Sequence, residues 1–322
     1  MSLYRDCNLC PRSCGVNRLG RGANGREGFC RENHQLRIAY IGPHFGEEPP
    51  ISGERGSGTV FLTGCSLRCA YCQNHQISKQ GLGHPMDLDG LVERAMDMIE
   101  THGVHNINFV TPDHFFPHVF QCVISLREQG YSLPVVYNLS GYQSLSMLRI
   151  GAPYVDIYLT DFKYGDSGLA RRLSKCRDYP KVALEALSEM VRQKGFLDVC
   201  ENGNRIAKRG VLVRHLILPG EIENSIGVLT TLFLEFGAAL PVSLMSQYYP
   251  ALPMEDEELN RLLTPDEFER VYTHALDLGF ENLFVQFPEQ NKDESTHAPS
   301  FVPDFRLEKP FSPKNQNPLP KF

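Results

Sequence analysis

Residues 58–74 read "GTVFLTGCSLRCAYCQN", an apolar strand followed at once by a loop with three cysteines. Cys65, Cys69 and Cys72 have a three-then-two spacing, and no fourth cysteine follows nearby. Thiolates are ligands for zinc, copper(I) and iron-sulfur clusters. A four-iron cluster ordinarily takes four cysteines, so a cluster held by three has one iron free for another ligand. The spacing therefore predicts an open metal or cluster site directly after this strand.

A structural zinc site is the alternative interpretation of the same loop. Such a site normally has four protein ligands, and His75 could supply the fourth. The spacing of the residues leaves both interpretations open.

Seven short apolar runs recur along residues 58–287, and stretches with helical spacing separate most of them. The predicted strands are "GTVFLTG", "HNINFV", "LPVVYN", "VDIYLTD", "GVLVRHLIL", "PVSLMS" and "NLFVQF". One predicted helix runs from Leu88 to Gly103, and "TPDE", from Thr264, predicts a capping box at the start of another. Strands joined by helices imply a parallel sheet. The predicted fold class is α/β, a partial or full (β/α) TIM-like barrel, with an open doubly wound sheet as the alternative.

Polar residues follow the predicted strands, at the carboxyl ends where such folds place their chemistry. Because side chains alternate along a strand, Asp161 and Lys163 share one face and Phe162 takes the other. The pair predicts a binding site, and an ordinary salt bridge at a barrel mouth is the alternative. The complete polar set comprises Thr111, Asp113, His114, Asn138, Ser140, Asp161, Lys163 and Gln247.

Composition restricts the class of protein. The chain has 322 residues, a formal net charge of -6 and 42% hydrophobic residues. This acidic balance makes a nucleic-acid partner unlikely, and the apolar runs are too short for a membrane helix. The first residues lack an export signal, so we expect a cytoplasmic protein. Metal ligation rather than disulfide pairing is therefore the expected role of its grouped cysteines, while Cys122, Cys176 and Cys200 lack ligand spacing and are expected to be ordinary thiols.

Three regions are predicted. Residues 1–36 form a Cys-rich metal-binding segment, residues 37–287 form the barrel domain, and residues 288–322 form a Pro-rich polar tail. The tail contains few apolar residues, so we expect it to be extended or disordered rather than part of a core.

The amino-terminal segment has a closed set of four thiols, Cys7, Cys10, Cys14 and Cys30. A segment this short buries little apolar surface, so metal binding would be what folds it. Zinc and an auxiliary four-iron cluster are both compatible, and we favour zinc or another structural metal. The stretch "GRGANG", residues 20–25, has the letters of a dinucleotide fingerprint, but no strand precedes it and no helix follows, so we predict no nucleotide site there.

Motifs across the chain share a family resemblance. The cysteine loop with Tyr71 before its third cysteine resembles the radical S-adenosylmethionine (SAM) superfamily. Residues 7–287 are similar to an uncharacterised branch of homologues of the pyruvate formate-lyase activating enzyme. The motifs that carry this likeness are "CNLCPRSCGVNR", "HFGEEPPISGERGSGTVFLTGC", "HNINFVTPDHF", "VVYNLSGY", "VDIYLTDFKY", "RHLILPG" and "MSQYYP".

The resemblance implies an oxidoreductase of the activating-enzyme type with a barrel of the radical SAM type. Cys65, Cys69 and Cys72 would hold a [4Fe-4S] cluster whose unique iron binds SAM. An electron from a donor such as flavodoxin or ferredoxin would cleave SAM to a 5'-deoxyadenosyl radical. The radical would abstract hydrogen from a protein substrate, such as a glycine of a glycyl radical enzyme. No side chain beyond the cluster ligands is assigned a catalytic role.

The same resemblance implies a set of SAM contacts. Arg214 would approach the SAM carboxylate, and an internal ion pair with Asp156 or Asp161 is the alternative. Relatives carry a glycine-rich turn where this chain has Thr111, and an aspartate and a histidine where it has Asn138 and Gln247. The complete set of candidate SAM contacts is Tyr71, Asn74, Thr111, Asn138, Ser140, Asp161, Lys163, Arg214 and Gln247.

Two further functions remain open from the sequence. A non-catalytic zinc-binding adaptor would use both cysteine groups for zinc. A radical SAM enzyme acting on a small molecule or an RNA nucleotide would keep the chemistry and change the target.

Overall fold

A nine-stranded sheet organises the chain in the computed structural model, which describes residues 2–20, 28–198, 206–288 and 301–311. The strands are β1 Arg37–His44, β2 Ser57–Leu62, β3 His84–Pro85, β4 Ile107–Val110, β5 Val135–Leu139, β6 Ile157–Asp161, β7 Gly210–Leu216, β8 Val242–Met245 and β9 Leu283–Gln286. Their order across the sheet is β3-β1-β2-β4-β5-β6-β7-β8-β9.

Helices occupy most of the connections between these strands. They are α1 Pro49–Ser52, α2 His75–Ser78, α3 Leu88–His102, α4 Phe116–Glu128, α5 Leu145–Gly151, α6 Ser167–Ser174, α7 Tyr179–Lys194, α8 Ile222–Phe236 and α9 Pro265–Leu278. Short 3-10 helices cover Ser2–Tyr4, Asp113–Phe115, Ala152–Tyr154 and Glu257–Asn260. None of the helices in the described part of the chain has the length and apolar character needed to cross a membrane.

The seven predicted strands are confirmed as β2 and β4 to β9, and every neighbouring pair among them is parallel. They follow one another across the sheet in chain order, as in a barrel, whereas a doubly wound sheet reverses its order at a switch point. The sheet begins with β3 and ends with β9 and is not closed, so the fold is a partial barrel.

The antiparallel edge made by β1 and β3 was not predicted. Strand β1 contains Gly42 and Pro43, residues that usually interrupt a strand, and the register with β2 shifts between Ile38 and Tyr40. Because of these two features, the apolar periodicity of the sequence does not predict this strand.

Helix ends follow the local sequence. Helix α3 ends at Gly103, which has a φ of 59° and closes the last turn with its N–H on the Ile99 carbonyl. The predicted capping box of α9 is confirmed, because the Thr264 side chain accepts from the Glu267 N–H and the Glu267 carboxylate accepts from the Thr264 N–H.

Replacing Thr264 by alanine should lower the free energy of unfolding by about 1 kcal/mol, since the cap would leave helix N–H groups without an acceptor. Urea denaturation of the anaerobically purified protein measures the change. Thr273→Ala, at an exposed position within α9, is the matched control. An equal loss in both variants would mean that the cap is not the cause.

The barrel interior is layered. A separate apolar cluster joins side chains of β5, β6 and β7 to side chains of α1 and of the connection before β7; its members are Ile51, Val136, Ile157, Leu159, Leu197, Ala207 and Leu212. A buried polar layer with Asn106, Asn108 and Ser57 lies nearby, tied by the Ser57 hydroxyl to Asn106 Oδ1 at 2.6 Å and by Asn106 Nδ2 to the Ile51 carbonyl at 2.8 Å. The larger core lies between the sheet and its helices.

Residues 301–311 pack against the β1–β2 side of the sheet. Phe305 is buried and its ring lies 5.3 Å from Phe61, and Phe311 lies 5.2 Å from the same ring and 4.3 Å from His44. The segment has no helix or strand, but its part in an aromatic cluster was not expected from its composition. The aromatic side chains were too few to suggest a core, yet the rings of Phe305 and Phe311 are enough to dock the segment on Phe61.

The predicted boundaries at residues 36 and 287 stay predictions. The amino-terminal segment packs on the barrel through Tyr4, whose hydroxyl lies 2.7 Å from His118 Nδ1. Most of the "GRGANG" stretch, the thiol of Cys200 and the remainder of the tail lie outside the described residues.

Candidate functional site

A cavity of about 840 Å³ opens at the carboxyl ends of the parallel strands. The cysteine loop, the ends of β4 to β9, the turn after β1 and residues 301–311 all contribute to its wall. Of the predicted residues it is lined by Cys69, Tyr71, Cys72, Asn74, Asn138, Asp161, Lys163, Arg214 and Gln247. A volume of this size accommodates a cofactor together with a substrate group.

Hydrogen-bond donors reach two of the three sulfurs of the loop. Cys65 and Cys69 are buried and Cys72 is partly buried. The sulfur of Cys65 accepts from the Leu67 N–H at 3.3 Å and the Arg68 N–H at 3.4 Å, and Ser78 donates to the sulfur of Cys72 at 3.2 Å. Hydrogen bonds of this kind stabilise a sulfur that carries negative charge. The donor set therefore fits a group ligated by thiolates.

The zinc interpretation of the loop, with His75 as the fourth ligand, stays a prediction. His75 faces a separate surface pocket with Arg37 and Gln80. Among the described residues, no three His, Cys, Asp or Glu side chains converge on a point where a single ion could bind.

Asp161 and Lys163 form a salt bridge at the cavity wall, with Nζ 2.6 Å from Oδ2. Both side chains are largely buried. Burial alone would lower the pKa of Lys163, but the Asp161 carboxylate and the sulfurs of Cys69 and Cys72 raise it above its ordinary value. The predicted pairing on one strand face is thus present, and the ammonium stays charged beside the thiols.

Arg214 pairs with carboxylates other than those predicted. Its Nε donates to Glu48 Oε1 at 2.8 Å, and its Nη2 contacts both Glu47 and Glu48. The expected internal partners were wrong, because Asp161 bonds Lys163 and Asp156 pairs with Arg127. The two glutamates come from the turn after β1, which the sequence places far from Arg214 and the fold brings alongside β7.

The buried triad of Arg214, Glu47 and Glu48 carries one net negative charge when all three side chains are ionised. Burial alone would raise the pKa of Glu47, but the charges of Arg214 and His44 and the hydrogen bonds from Arg214 and Asn108 together hold that pKa below its ordinary value. Asn108 and Asn138 also donate to Glu47 Oε1, at 2.8 and 3.3 Å. The hydrogen bonds from both amides keep the carboxylate satisfied.

Two members of the predicted set do not line the cavity. Ser140 is buried beneath Gln143, and its carbonyl accepts from Tyr179. Thr111 has a φ of 54°, a left-handed conformation that β-branched residues rarely adopt. The position where relatives carry glycine thus has the backbone conformation that favours glycine, although this chain has threonine there.

Gln73 and Gln286 were missed by the sequence analysis. Both line the cavity and hold Gln247 in place, because Gln73 donates to its carbonyl at 2.7 Å and Gln286 donates to its side-chain oxygen at 3.1 Å. Gln73 lies within the quoted cysteine loop, and Gln286 ends the last predicted strand. Position at a strand end was the signal that could have found Gln286.

The four amino-terminal cysteines come together behind the cysteine loop. A carbon added at Gly28 would lie 3.7 Å from the sulfur of Cys30 and 3.8 Å from that of Cys14. Cys30 also lies within electrostatic reach of Cys7 and Cys10. The structure therefore groups the four thiols that the sequence grouped.

Fold and loop together define a class of open (β/α) barrels with a thiol-rich mouth. A sequence profile described as the Radical SAM superfamily matches residues 59–232, just over half of the 322-residue chain. The chain belongs to the radical SAM superfamily. Membership implies a [4Fe-4S] cluster and SAM as cofactors, and cleavage of SAM as the chemistry.

Three known proteins illustrate what the chain is similar to. An uncharacterised protein of Methanocaldococcus jannaschii is 26% identical over 284 residues, which cover 84% of this chain and 74% of that protein. Methylornithine synthase (PylB), known from a crystal structure, has 15% sequence identity to this chain and a TM-score of 0.42, and the match covers 74% of each chain. Streptococcus suis SuiB is 14% identical with a TM-score of 0.43, over 70% of this chain and 47% of SuiB, so this chain spans about half of SuiB. The family assignment rests on the sequence profile and not on these structural likenesses.

Proposed function

We propose that Cys65, Cys69 and Cys72 hold the [4Fe-4S] cluster and that SAM binds in the adjoining cavity. The observation that carries this proposal is the position of the thiols, two of which line the same 840 Å³ cavity as the Asp161–Lys163 pair. The zwitterionic methionine part of SAM and its ribose hydroxyls suit a carboxylate beside an ammonium.

Bound there, the cluster and SAM supply a one-electron reductive cleavage that yields methionine and a 5'-deoxyadenosyl radical able to abstract hydrogen. The chain's own residues position and enclose the reactants. Lys163 keeps a positive charge beside Cys69 and Cys72, which offsets the negative charge of the thiolates. Tyr71 is buried against Tyr164 and Tyr248 and excludes water from one side of the loop.

The target that we propose first is a glycine of a partner glycyl radical enzyme, with reduction by a flavodoxin or ferredoxin. The support is the likeness of the motifs from residue 7 to residue 287 to the activating enzymes. A second candidate is a small-molecule substrate. It is favoured by residues 301–311, since Phe301, Glu308, Lys309 and Phe311 form part of the cavity wall and narrow the access of a folded partner.

Anaerobic reconstitution with iron and sulfide, followed by SAM and dithionite, tests the chemistry. We expect 5'-deoxyadenosine and methionine in equal amounts. Deuterium transfer into 5'-deoxyadenosine from a deuterated glycyl-loop peptide or from a small molecule then identifies the target class. A cluster-loaded protein that forms no 5'-deoxyadenosine would refute the proposed function.

Lys163→Met should weaken SAM binding by roughly tenfold to a hundredfold, because one charge-assisted hydrogen bond contributes about 1.5–3 kcal/mol. Equilibrium dialysis with cluster-loaded protein measures the dissociation constant. Lys181→Met is the matched control, since Lys181 is exposed on α7 and pairs only loosely with Glu185, at 3.9 Å. Unchanged affinity in the Lys163 variant would remove this residue from the SAM site.

A further inference from the structure

Basic residues gather on the surface around the cysteine loop, outside the cavity. We propose that this basic patch, defined by Arg31, Arg68, Lys79 and Lys175, is the docking surface for an acidic electron-carrier protein. None of these four residues is part of the cavity wall. The inference rests on the proposed function, because the cleavage of SAM requires an electron, and it deepens that function by locating where the electron donor binds.

Backbone contacts hold two of the basic side chains beside the loop. The Lys79 ammonium donates to the Ala70 carbonyl at 2.6 Å, within the cysteine loop. The Ala70 N–H donates in turn to the Leu173 carbonyl at 2.7 Å. Leu173 lies in the last turn of α6, and Lys175 follows as the exposed C-cap residue of that helix. Lys79 and Lys175 are therefore held next to the same part of the loop.

Phe29 brings the other two basic residues to this surface. Arg68 Nη1 donates to the Phe29 carbonyl at 3.5 Å, and its Cζ lies 5.8 Å from the centre of the Phe29 ring. Arg31 follows two residues after Phe29 and is exposed. Arg12 stacks on the same ring at 3.8 Å and donates to the Lys175 carbonyl at 2.6 Å. Contacts of Phe29 and Arg12 thus connect all parts of the patch.

The charges of the patch act on one another. Burial lowers the pKa of Arg68, and the charge of Arg31 lowers it further. Burial also lowers the pKa of Lys79, and the charges of Arg68 and Lys175 act in the same direction. Such shifts between like charges mean that the cations repel each other at short range. A partner with negative charge would offset this repulsion.

Carboxylates are scarce in the segments that form the patch. Residues 57–86, which include the whole cysteine loop, contain no aspartate or glutamate. Glu32, next to Arg31, is buried and lies 3.6 Å from the Arg37 guanidinium. The Asp178 carboxylate, near Lys175 in sequence, accepts from the Tyr142 hydroxyl. The patch is therefore locally positive on a chain whose formal net charge is -6.

The position of the patch indicates what it would bind. Arg68 lies between two of the loop cysteines in sequence, and the charge of Lys79 reaches the sulfurs of Cys69 and Cys72. A protein seated on the patch would contact the loop that we propose holds the cluster, whereas SAM would bind in the cavity. An acidic carrier would be steered to this surface by its charge. One electron leaves the reduced carrier and enters the cluster, and no bond forms or breaks in this step.

The test uses an acidic flavodoxin, a small FMN protein, as the partner. Reduced flavodoxin is mixed without oxygen with the cluster-loaded protein at about 50 mM salt, where surface charges are weakly screened. Electron paramagnetic resonance of rapidly frozen samples measures how fast the reduced cluster appears. The Arg31→Glu, Lys175→Glu variant should be reduced about tenfold more slowly than wild type, because electrostatic steering raises association rates by roughly 10- to 1000-fold. The difference should shrink as the salt concentration rises.

The Lys181→Glu, Lys208→Glu variant is the matched control. These two exposed lysines lie on α7 and before β7, and their reversal changes the net charge by the same amount. Reduction by dithionite, which needs no docking, corrects each rate for the content and potential of the cluster. Equal corrected rates in the two variants would overturn the proposal.

Affinity provides a second readout that needs neither SAM nor a cluster. In calorimetric titrations, the dissociation constant for flavodoxin should rise about tenfold in the Arg31→Glu, Lys175→Glu variant and stay unchanged in the control. A short single-stranded RNA that binds the patch when flavodoxin does not would overturn the proposal in favour of a nucleic-acid surface. The titrations remain decisive if the proposed cleavage of SAM fails, and the cleavage assay with dithionite remains decisive if flavodoxin does not bind.

Discussion

Replacing Cys72 by serine is expected to abolish the formation of 5'-deoxyadenosine from SAM and dithionite. The three thiols of the loop are the whole protein ligand set that we propose for the catalytic cluster, so loss of one leaves two irons without a protein ligand. Serine preserves the size of the side chain, and the Ser78 hydroxyl that donates to the Cys72 sulfur remains in place. The change therefore removes the ligand with little disturbance of packing. Chromatographic assay of 5'-deoxyadenosine measures the effect.

Cys122→Ala is the matched control for this prediction. Cys122 is fully buried in α4 and is not grouped with other cysteines in the fold. We expect it to retain the activity of the wild type after a small loss of stability. Activity in the Cys72 variant comparable to wild type would show that the loop does not ligate the catalytic cluster, whatever metal the protein contains.

The parallel part of the fold was predictable because its strands are short, apolar and bounded by turn residues, and because buried parallel strands need little alternation. Strand β1 was not predictable in the same way, since Gly42 and Pro43 within it are typical of loops. The pairing of β1 with β2 depends on long-range contacts that override these local preferences.

Part of the candidate site was likewise predictable from the sequence, and part was not. Asp161 and Lys163 were predictable as a pair because two positions on one strand face are fixed by local geometry. The partners of Arg214 were not predictable. A buried arginine requires a counter-charge, but this requirement does not identify the carboxylate that supplies it. Glu47 and Glu48 meet Arg214 only because the turn after β1 folds into the barrel, 167 and 166 residues away in sequence.

The sequence also did not predict that Phe311 and Lys309 form part of the cavity wall. Both line the cavity although they come from a region whose composition predicts no packed structure. Three aromatic contacts to Phe61, Tyr40 and His44 are enough to place this short segment. The average composition of residues 288–322 does not reveal this packing, because the packing depends on a few aromatic side chains at the right spacing.

Arg214→Met is expected to lower the free energy of unfolding by about 3–5 kcal/mol at neutral pH, because it leaves two buried carboxylates without their counter-charge. Methionine keeps much of the volume of arginine, so a cavity is not the main cause. Arg214→Lys keeps the charge but cannot donate in a fork to both glutamates, and we expect an intermediate loss. Arg270→Met, which removes an exposed arginine paired with the exposed Glu223, should change stability little. Denaturation of the anaerobically purified protein gives the comparison.

The pH dependence of the stability loss in Arg214→Met identifies the cause of that loss. In the wild type the pKa of Glu47 lies below its ordinary value of 4.5, so the stability gained from its ionised form is complete above that pH and is lost as the pH falls through the lowered pKa. In Arg214→Met, burial without the guanidinium should raise the pKa of Glu47, so protonation in the folded state relieves the uncompensated charge as the pH falls. The deficit of the variant should therefore shrink between pH 7.5 and about pH 5.5. A deficit that stays constant over this range would mean that lost packing, and not the unpaired carboxylates, destabilises the variant.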